Sequence, residues 1–352
     1  MVVFGGRSGE HEVSLASARA ITEALGKSGR HEVVPVGITR EGRWISSGDP
    51  MKELTSKSTY LPDGSNLDVP DSTISGTLAS AGERLPAGLG SVDVVFPVLH
   101  GPYGEDGTIQ GMLELAGIPY VGSGVLGSAA AMDKPTMKKI FAHHGLPQVK
   151  WLGLTRKQWE TDRGAWTRKI EESLGYPCFV KPANLGSSVG IGRAADAVEL
   201  AAALGAAARF DRRLIVEEGV DAREIEVSVL GNEDPEVSVP GEIVVKKADF
   251  YDYEAKYVEG GMELMVPAEI PDQTAAEIRR IARAAFEAVD AAGMARVDFF
   301  LERGTGRLLL NEINTIPGFT PTSVYAELWA ASGLCYQKLL DRLIELALER
   351  HG

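Results

Sequence analysis

Residues 295–314, ARVDFFLERGTGRLLLNEIN, decide how the chain is read. Arg296 and Asp298 alternate with apolar residues in the first run, and Glu312 and Asn314 do so in the second. Side chains two apart on a strand share a face. The turn ERGTG between the runs makes an antiparallel hairpin natural, and such a hairpin holds Asp298, Glu312 and Asn314 on one polar face. Three oxygen donors with no His or Cys among them suit Mg²⁺. An ordinary amphipathic hairpin with a solvated polar face fits the same residues, so the pattern alone leaves both readings open.

Upstream, residues 179–192 read FVKPANLGSSVGIG, a lysine near the end of an apolar strand followed by a small, Gly- and Ser-rich loop. Such a loop brings backbone N–H groups close to phosphate oxygens, and Lys181 supplies positive charge. It is not a Walker A motif. GGRSGE at 5–10 also lacks the spacing of a dinucleotide fingerprint, and neither HExxH nor GxSxG occurs. Lys134 in AMDKPTMKK and Lys256 in YDYEAKY are further cationic positions, each readable alone as a surface lysine. Glu217 and Glu218 follow the apolar run LIV, so either one meets a ligand at a strand end or both form a solvated pair. His100 ends the apolar run VFPVL before a glycine-rich turn, where open α/β sheets place ligands. Glu12 lies at a helix start, where a carboxylate suits the positive end of the dipole.

The chain has 352 residues, 44% hydrophobic and 24% charged, which is ordinary globular usage and too long for one simple core. Thirty-six basic against 49 acidic residues give a net charge of −13, opposing non-specific attraction to nucleic acid or anionic lipid. Two distant cysteines, Cys178 and Cys335, support neither a disulfide scaffold nor a zinc ribbon, and a reducing cytoplasm is expected. No run approaches the ~18 apolar residues of a membrane span, and MVVFGGRSGE is not a signal peptide.

The organisation is α/β. A βαβ unit opens the chain, with a strand at 2–4, a helix at about 14–26 and a strand at 32–38; another strand covers 92–99 and a helix begins near Thr108. This first domain is expected to span 1–121, with a surface excursion of no regular period at about 39–89. A second unit, 122–216, carries a helical stretch at 132–144, strands at 150–154 and 176–182, and an edge strand at 214–217. A third, 217–352, holds the strands at 224–230 and 237–245, a long helix at about 273–292, the hairpin, and two final helices.

The order of motifs resembles the D-alanine:D-alanine ligases of the ATP-grasp superfamily. It rests on GGRSGEHEVSL, LHGPYGEDGTIQGMLELAGIPYVGSG, AMDK, FVKPANLGSSVGI, FYDYEAKY, RVDFF and NEINTIPGFTPTS, in order from residue 5 to residue 323. The resemblance implies a three-domain ATP-grasp fold (α/β with α+β character) behind an N-terminal βαβ domain. It implies that two D-alanine molecules are joined at the expense of ATP, through an acyl phosphate, for peptidoglycan precursor synthesis. It places Lys134, Lys181 and Lys256 on ATP phosphates, Glu217 at the adenine and Glu224 at the ribose. Asp298, Glu312 and Asn314 would hold two Mg²⁺ ions, with Mn²⁺ an alternative. Glu12 would take the ammonium of the first D-alanine, with Ser187 and Tyr257 closing the site; Arg296 would stabilise the oxyanion, and His100 and Ser323 would serve the second substrate. A homodimer is expected. Two departures stand out: Asn184 and Leu185 occupy phosphate-loop positions often charged in relatives, and Ala326 replaces a frequent proline. The alternatives are a D-alanine:D-lactate or other carboxylate–amine ligase, for which Tyr257 is the discriminating residue, and a nucleotide-binding regulator without turnover.

Overall fold

The computed structural model describes residues 1–57, 91–186, 190–245 and 262–352. Strands are numbered β1 to β14 in chain order, and helices are given by their residues. The N-terminal sheet has the order β3-β2-β1-β4, with β1 (Val2–Gly5), β2 (Pro35–Ile38), β3 (Trp44–Ile45) and β4 (Phe96–Val98). β1 is parallel to both β2 and β4, and helix His11–Ser28 makes the crossover that a parallel β1–β2 pair needs. All four β1 residues are buried, which is why its sequence is an unbroken apolar run. Gly5, at φ +91°, ends β1 where a Cβ would stand 2.2 Å from the Ile38 carbonyl oxygen, so only glycine fits. The excursion expected at 39–89 is not structureless at its start: β3 and helix Pro50–Lys57 occupy it, while 58–90 lie outside the described residues.

The central sheet is antiparallel, in the order β5-β8-β6-β7: β5 (Trp151–Thr155), β6 (Cys178–Pro182), β7 (Gly192–Ala194) and β8 (Arg213–Glu218). β8 is an inner strand, not the expected edge, because Leu214, Ile215 and Val216 are fully buried and demand partners on both sides. It also runs two residues past the expected limit at 216. Glu217 pairs with Trp151 and Phe179 inside the central sheet, so it does not open a new domain.

The C-terminal sheet follows the order β12-β11-β9-β13-β14, with β10 (Glu236–Val237) also on β9; its strands are β9 (Ala222–Gly231), β11 (Gly241–Val245), β12 (Met262–Met265), β13 (Gly293–Glu302) and β14 (Leu308–Asn314). Helix Asp272–Ala288 covers one face, burying Ile278, Ile281, Ala285 and Phe286 against Val227 and Val297. Each large apolar side chain so buried is worth about 1.5–3 kcal/mol. Helices Val125–Met132 and Lys134–His143, expected in the central unit, belong to this core: Ala130, Ala131, Met137 and Phe141 pack there, since the central sheet's apolar face is filled by Trp159, Ile170, Leu200 and Leu204. Helices Val324–Ala331 and Tyr336–His351 pack onto the N-terminal sheet, where Trp329, Leu339 and Leu343 share one core with Phe4, Leu15 and Ile21.

Candidate active site

A cleft of about 550 Å³ lies between the central and C-terminal sheets, lined by Lys134, Lys181, Glu217, Glu224, Arg296, Asp298 and Glu312 among others. Its floor is the polar face of β9, β13 and β14. The register sets Asp298 opposite Glu226 on one side and Glu312 on the other, and Arg296 opposite Ser228 and Asn314. The hairpin read from the sequence is therefore present, and Arg296, Asp298 and Glu312 of its polar face line the cleft, with Asn314 one strand period beyond Glu312. Arg296 donates from Nε and Nη2 to the two Asp298 oxygens, both at 2.7 Å, and its Nε lies 2.9 Å from Glu226 Oε2. Asn314 Oδ1 is buried with no hydrogen-bond partner, an acceptor left open beside two carboxylates. Among the described residues no three His, Cys, Asp or Glu side chains converge on one point; the donor set is two carboxylates and an amide oxygen.

The opposite wall is cationic. Asp133 caps helix Lys134–His143 by accepting from Thr136 N at 2.9 Å, and its carboxylate also holds Arg213 at 2.5 Å. That fixes Lys134 at the helix start, with Nζ donating to the Leu185 carbonyl at 2.8 Å and standing 3.9 Å from Glu312 Oε2. The uncharged Leu185 thus contributes its backbone. Asn184 ties the loop base down by donating twice to Asp211, at 3.0 Å each. Lys181 reaches Glu217 Oε2 at 2.6 Å, and Lys138 reaches Oε1 at 2.8 Å. Burial alone would push Glu217 up, but Lys138 and Lys181 outweigh it and hold its carboxyl down at about 2. Glu218 also lines the cleft and accepts from Lys150 N at 2.8 Å, whereas Glu217 is the one of the pair held between two buried lysines.

At the N-terminal sheet, His100 Nδ1 lies 2.9 Å from the Ile316 carbonyl and 3.5 Å from Glu105 Oε1, while its Nε2 is buried without a hydrogen-bond partner. Burial, reinforced by the Glu10 carboxylate, pushes Glu105 up to about 7 against the pull of His100. Ser323 Oγ lies 2.8 Å from Thr320 Oγ1 and accepts from Thr320 N at 2.9 Å, at the start of helix Val324–Ala331.

Among the described residues Glu12 does not join this group. Its Oε1 pairs with Arg40 at 2.9 Å on the exposed side of helix His11–Ser28. The carboxylate facing the cleft mouth is Glu10: a methyl group added at Gly186 would lie 2.7 Å from its Oε2, and one at Gly101 2.9 Å. Glu10 is the residue just before helix His11–Ser28, and Glu12 lies in its first turn. Ser187, Lys256 and Tyr257 lie outside the described residues, as do 187–189 of the loop 183–190 and all of the segment 248–261, the two stretches expected to close over the site. The sequence reading passed over Lys138, Glu226, Glu105 and Glu10. A signal existed for two of them: Lys138 follows Lys134 by one helical turn, and Glu226 follows Glu224 by one strand period.

Known proteins are similar to this chain over nearly its whole length. The family described as D-ala D-ala ligase N-terminus matches residues 1–123, and that described as D-ala D-ala ligase C-terminus matches residues 140–345. A D-alanine--D-alanine ligase of Thermoanaerobacter sp. (strain X514) is 52% identical, covering 100% of this chain and 96% of its own. One from Bacillus cytotoxicus is 49% identical, covering 99% and 95%. Among solved structures, the VanG D-Ala:D-Ser ligase from Enterococcus faecalis superposes with a TM-score of 0.80 at 36% identity, covering 98% of each chain.

Proposed function

The chain belongs to the D-alanine–D-alanine ligase family, and from that premise we propose how its own side chains divide the work. It is an ATP-dependent ligase that joins two D-alanine molecules into D-alanyl-D-alanine for peptidoglycan precursor synthesis. The alternative acceptors are not favoured, because relatives at 49% and 52% identity carry the dipeptide ligase name.

The assignment of roles rests above all on one observation, the pairing of Asp298 with Glu312 beside the open, buried Asn314 oxygen. Two carboxylates and an amide oxygen fit a hard divalent cation. We assign them to hold Mg²⁺, two ions with Mn²⁺ as a substitute; a bound cation offsets charge on the transferring phosphoryl group. Lys134 and Lys181 face the phosphates, with Glu217 and Glu224 toward adenine and ribose. The first D-alanine carboxylate attacks the γ-phosphorus, breaking its bond to ADP, which leaves, to give an acyl phosphate; the second D-alanine's uncharged amine attacks that carbonyl, loses a proton, and phosphate leaves. Arg296, held in plane by Asp298, stabilises the tetrahedral oxyanion. Glu10 takes the first ammonium in place of Glu12. His100 and Ser323 orient the second substrate, and Lys256, Ser187 and Tyr257 keep the roles the motif order implies. Excluding water protects the acyl phosphate from hydrolysis.

We place the enzyme in the cytoplasm as a homodimer, with residues 1–121, the central sheet and the C-terminal sheet as its three domains. Both cysteines are free, and among the described residues no helix is long and apolar enough to cross a membrane. Sedimentation analysis checks the dimer. The functional test is ADP release with D-alanine, with D-alanine plus D-lactate, and with L-alanine, products identified by mass. Dipeptide from D-alanine alone is expected; depsipeptide as the main product of the mixture would overturn the acceptor.

A further inference from the structure

Lys138 is a fully buried cation for which the reaction sketched above has no use. It sits 1% exposed on helix Lys134–His143, its neighbours Met137 and Phe141 in the apolar core. Its Nζ lies 2.8 Å from Glu217 Oε1 and donates to the Asn311 carbonyl at 3.2 Å. Desolvation makes a buried ammonium costly, and Glu217 and the Asn311 carbonyl offset that cost here. The other Glu217 oxygen holds Lys181 at 2.6 Å. One carboxylate between two lysines leaves this triad with a net charge of +1 at the wall of the cleft.

The consequence follows from the geometry of exchange. A phosphate that recruits Lys181 draws it off Glu217. Without a second cation, Glu217 would then be a buried, unpaired carboxylate, which is costly, so it would retain Lys181 instead. With Lys138 in place, Glu217 stays neutralised whichever way Lys181 points. We propose that Lys138 is a positioning residue for nucleotide binding, the fixed counter-ion of Glu217 that frees Lys181 for a triphosphate and leaves the wall one charge positive. It rests on the assignment of Lys181 to phosphate.

The test is calorimetric titration of the full chain with a non-hydrolysable ATP analogue and Mg²⁺. Lys138→Met makes the triad neutral and is expected to weaken binding at least about tenfold, the scale of one charge removed close to an anion in partly dry surroundings. Lys138→Arg keeps the charge and is expected to stay within about threefold of the native chain. The deciding arm repeats Lys138→Met in a Glu217→Gln background, measured against Glu217→Gln alone: with no carboxylate to neutralise, removing Lys138 should cost at least about threefold less than it does in the native chain. A purely space-filling lysine would cost as much in that background as in the native chain. An equal further loss in both backgrounds, or no loss in Lys138→Met, overturns the proposal. Lys181→Met separates the premise: undiminished analogue binding there removes the phosphate role of Lys181, and this inference falls with it.

Discussion

Asp298 and Glu312 face each other across the hairpin, so removing one carboxylate charge tests the pair without disturbing the strand. Glu312→Gln is expected to keep the fold and cut turnover at least ~100-fold, the scale of losing a major electrostatic contributor. Near-normal turnover at saturating Mg²⁺ would remove the metal assignment. Glu10 and Glu12 make a sharper comparison: Glu10→Gln should lower kcat/KM for D-alanine at least ~10-fold, and Glu12→Gln by less than ~3-fold. The spacing of EHEVSL could not decide between them, because that depends on where the helix begins and which side then faces Arg40. The His100–Glu105 pair carries a pH signature. Glu105 is pushed up to about 7 by burial, and His100 is raised because Glu105 outweighs the burial that disfavours its charge. Both groups bind protons more tightly folded than unfolded, so their contribution to stability is present in acid and lost as pH rises, for Glu105 from its ordinary 4.5 through about 7. Between about pH 4.5 and pH 7, melting temperature measured without substrates should therefore change less favourably with rising pH in the native chain than in Glu105→Gln. An equal slope in both proteins would count against the pair.

At the scale of elements, alternation made the hairpin legible but hid its irregularity. The register shifts between Asp298 and Phe299, so Asn311 is extra on its strand, and its carbonyl is the one Lys138 reaches. The run of three leucines at 308–310 has no polar marker from which such a shift could be read. Helix assignments fared well where caps are explicit. Asp196 accepts from Val198 N and Glu199 N, at 2.8 and 2.9 Å, and opens the alanine-rich helix Ala197–Phe210. Asp196→Ala is expected to cost about 1 kcal/mol in urea unfolding, with activity retained. What the sequence did not disclose is which sheet a helix covers. Helices Val125–Met132 and Lys134–His143 precede the central sheet in the chain yet pack on the C-terminal one, a choice made by complementary apolar faces distant in sequence.

For the whole molecule, the net charge of −13 coexists with a cleft wall of buried lysines, so anion binding is a local property that bulk charge does not report. The tie between the ends of the chain is equally invisible in the sequence and is concentrated at Phe319. Its ring, 1% exposed, lies 5.7 Å from Phe96 of β4 and 5.5 and 5.7 Å from Tyr325 and Tyr336 of the final helices. Its N–H donates to Ser17 Oγ at 3.0 Å, and its carbonyl accepts from Tyr336 at 2.8 Å. Phe319 stands between Asn314 and Ser323, so the loop joining the proposed metal face to the acceptor site is held by the N-terminal sheet. Phe319→Ala should therefore act twice. It should cost about 3–5 kcal/mol of stability, as emptied core sites do. It should also raise KM for the second D-alanine at least ~10-fold while KM for ATP changes less than ~3-fold, because only the acceptor side loses its support. Steady-state kinetics below the variant's melting range decide this: equal rises in both constants would mean that the aromatic cluster holds the molecule together without placing the acceptor.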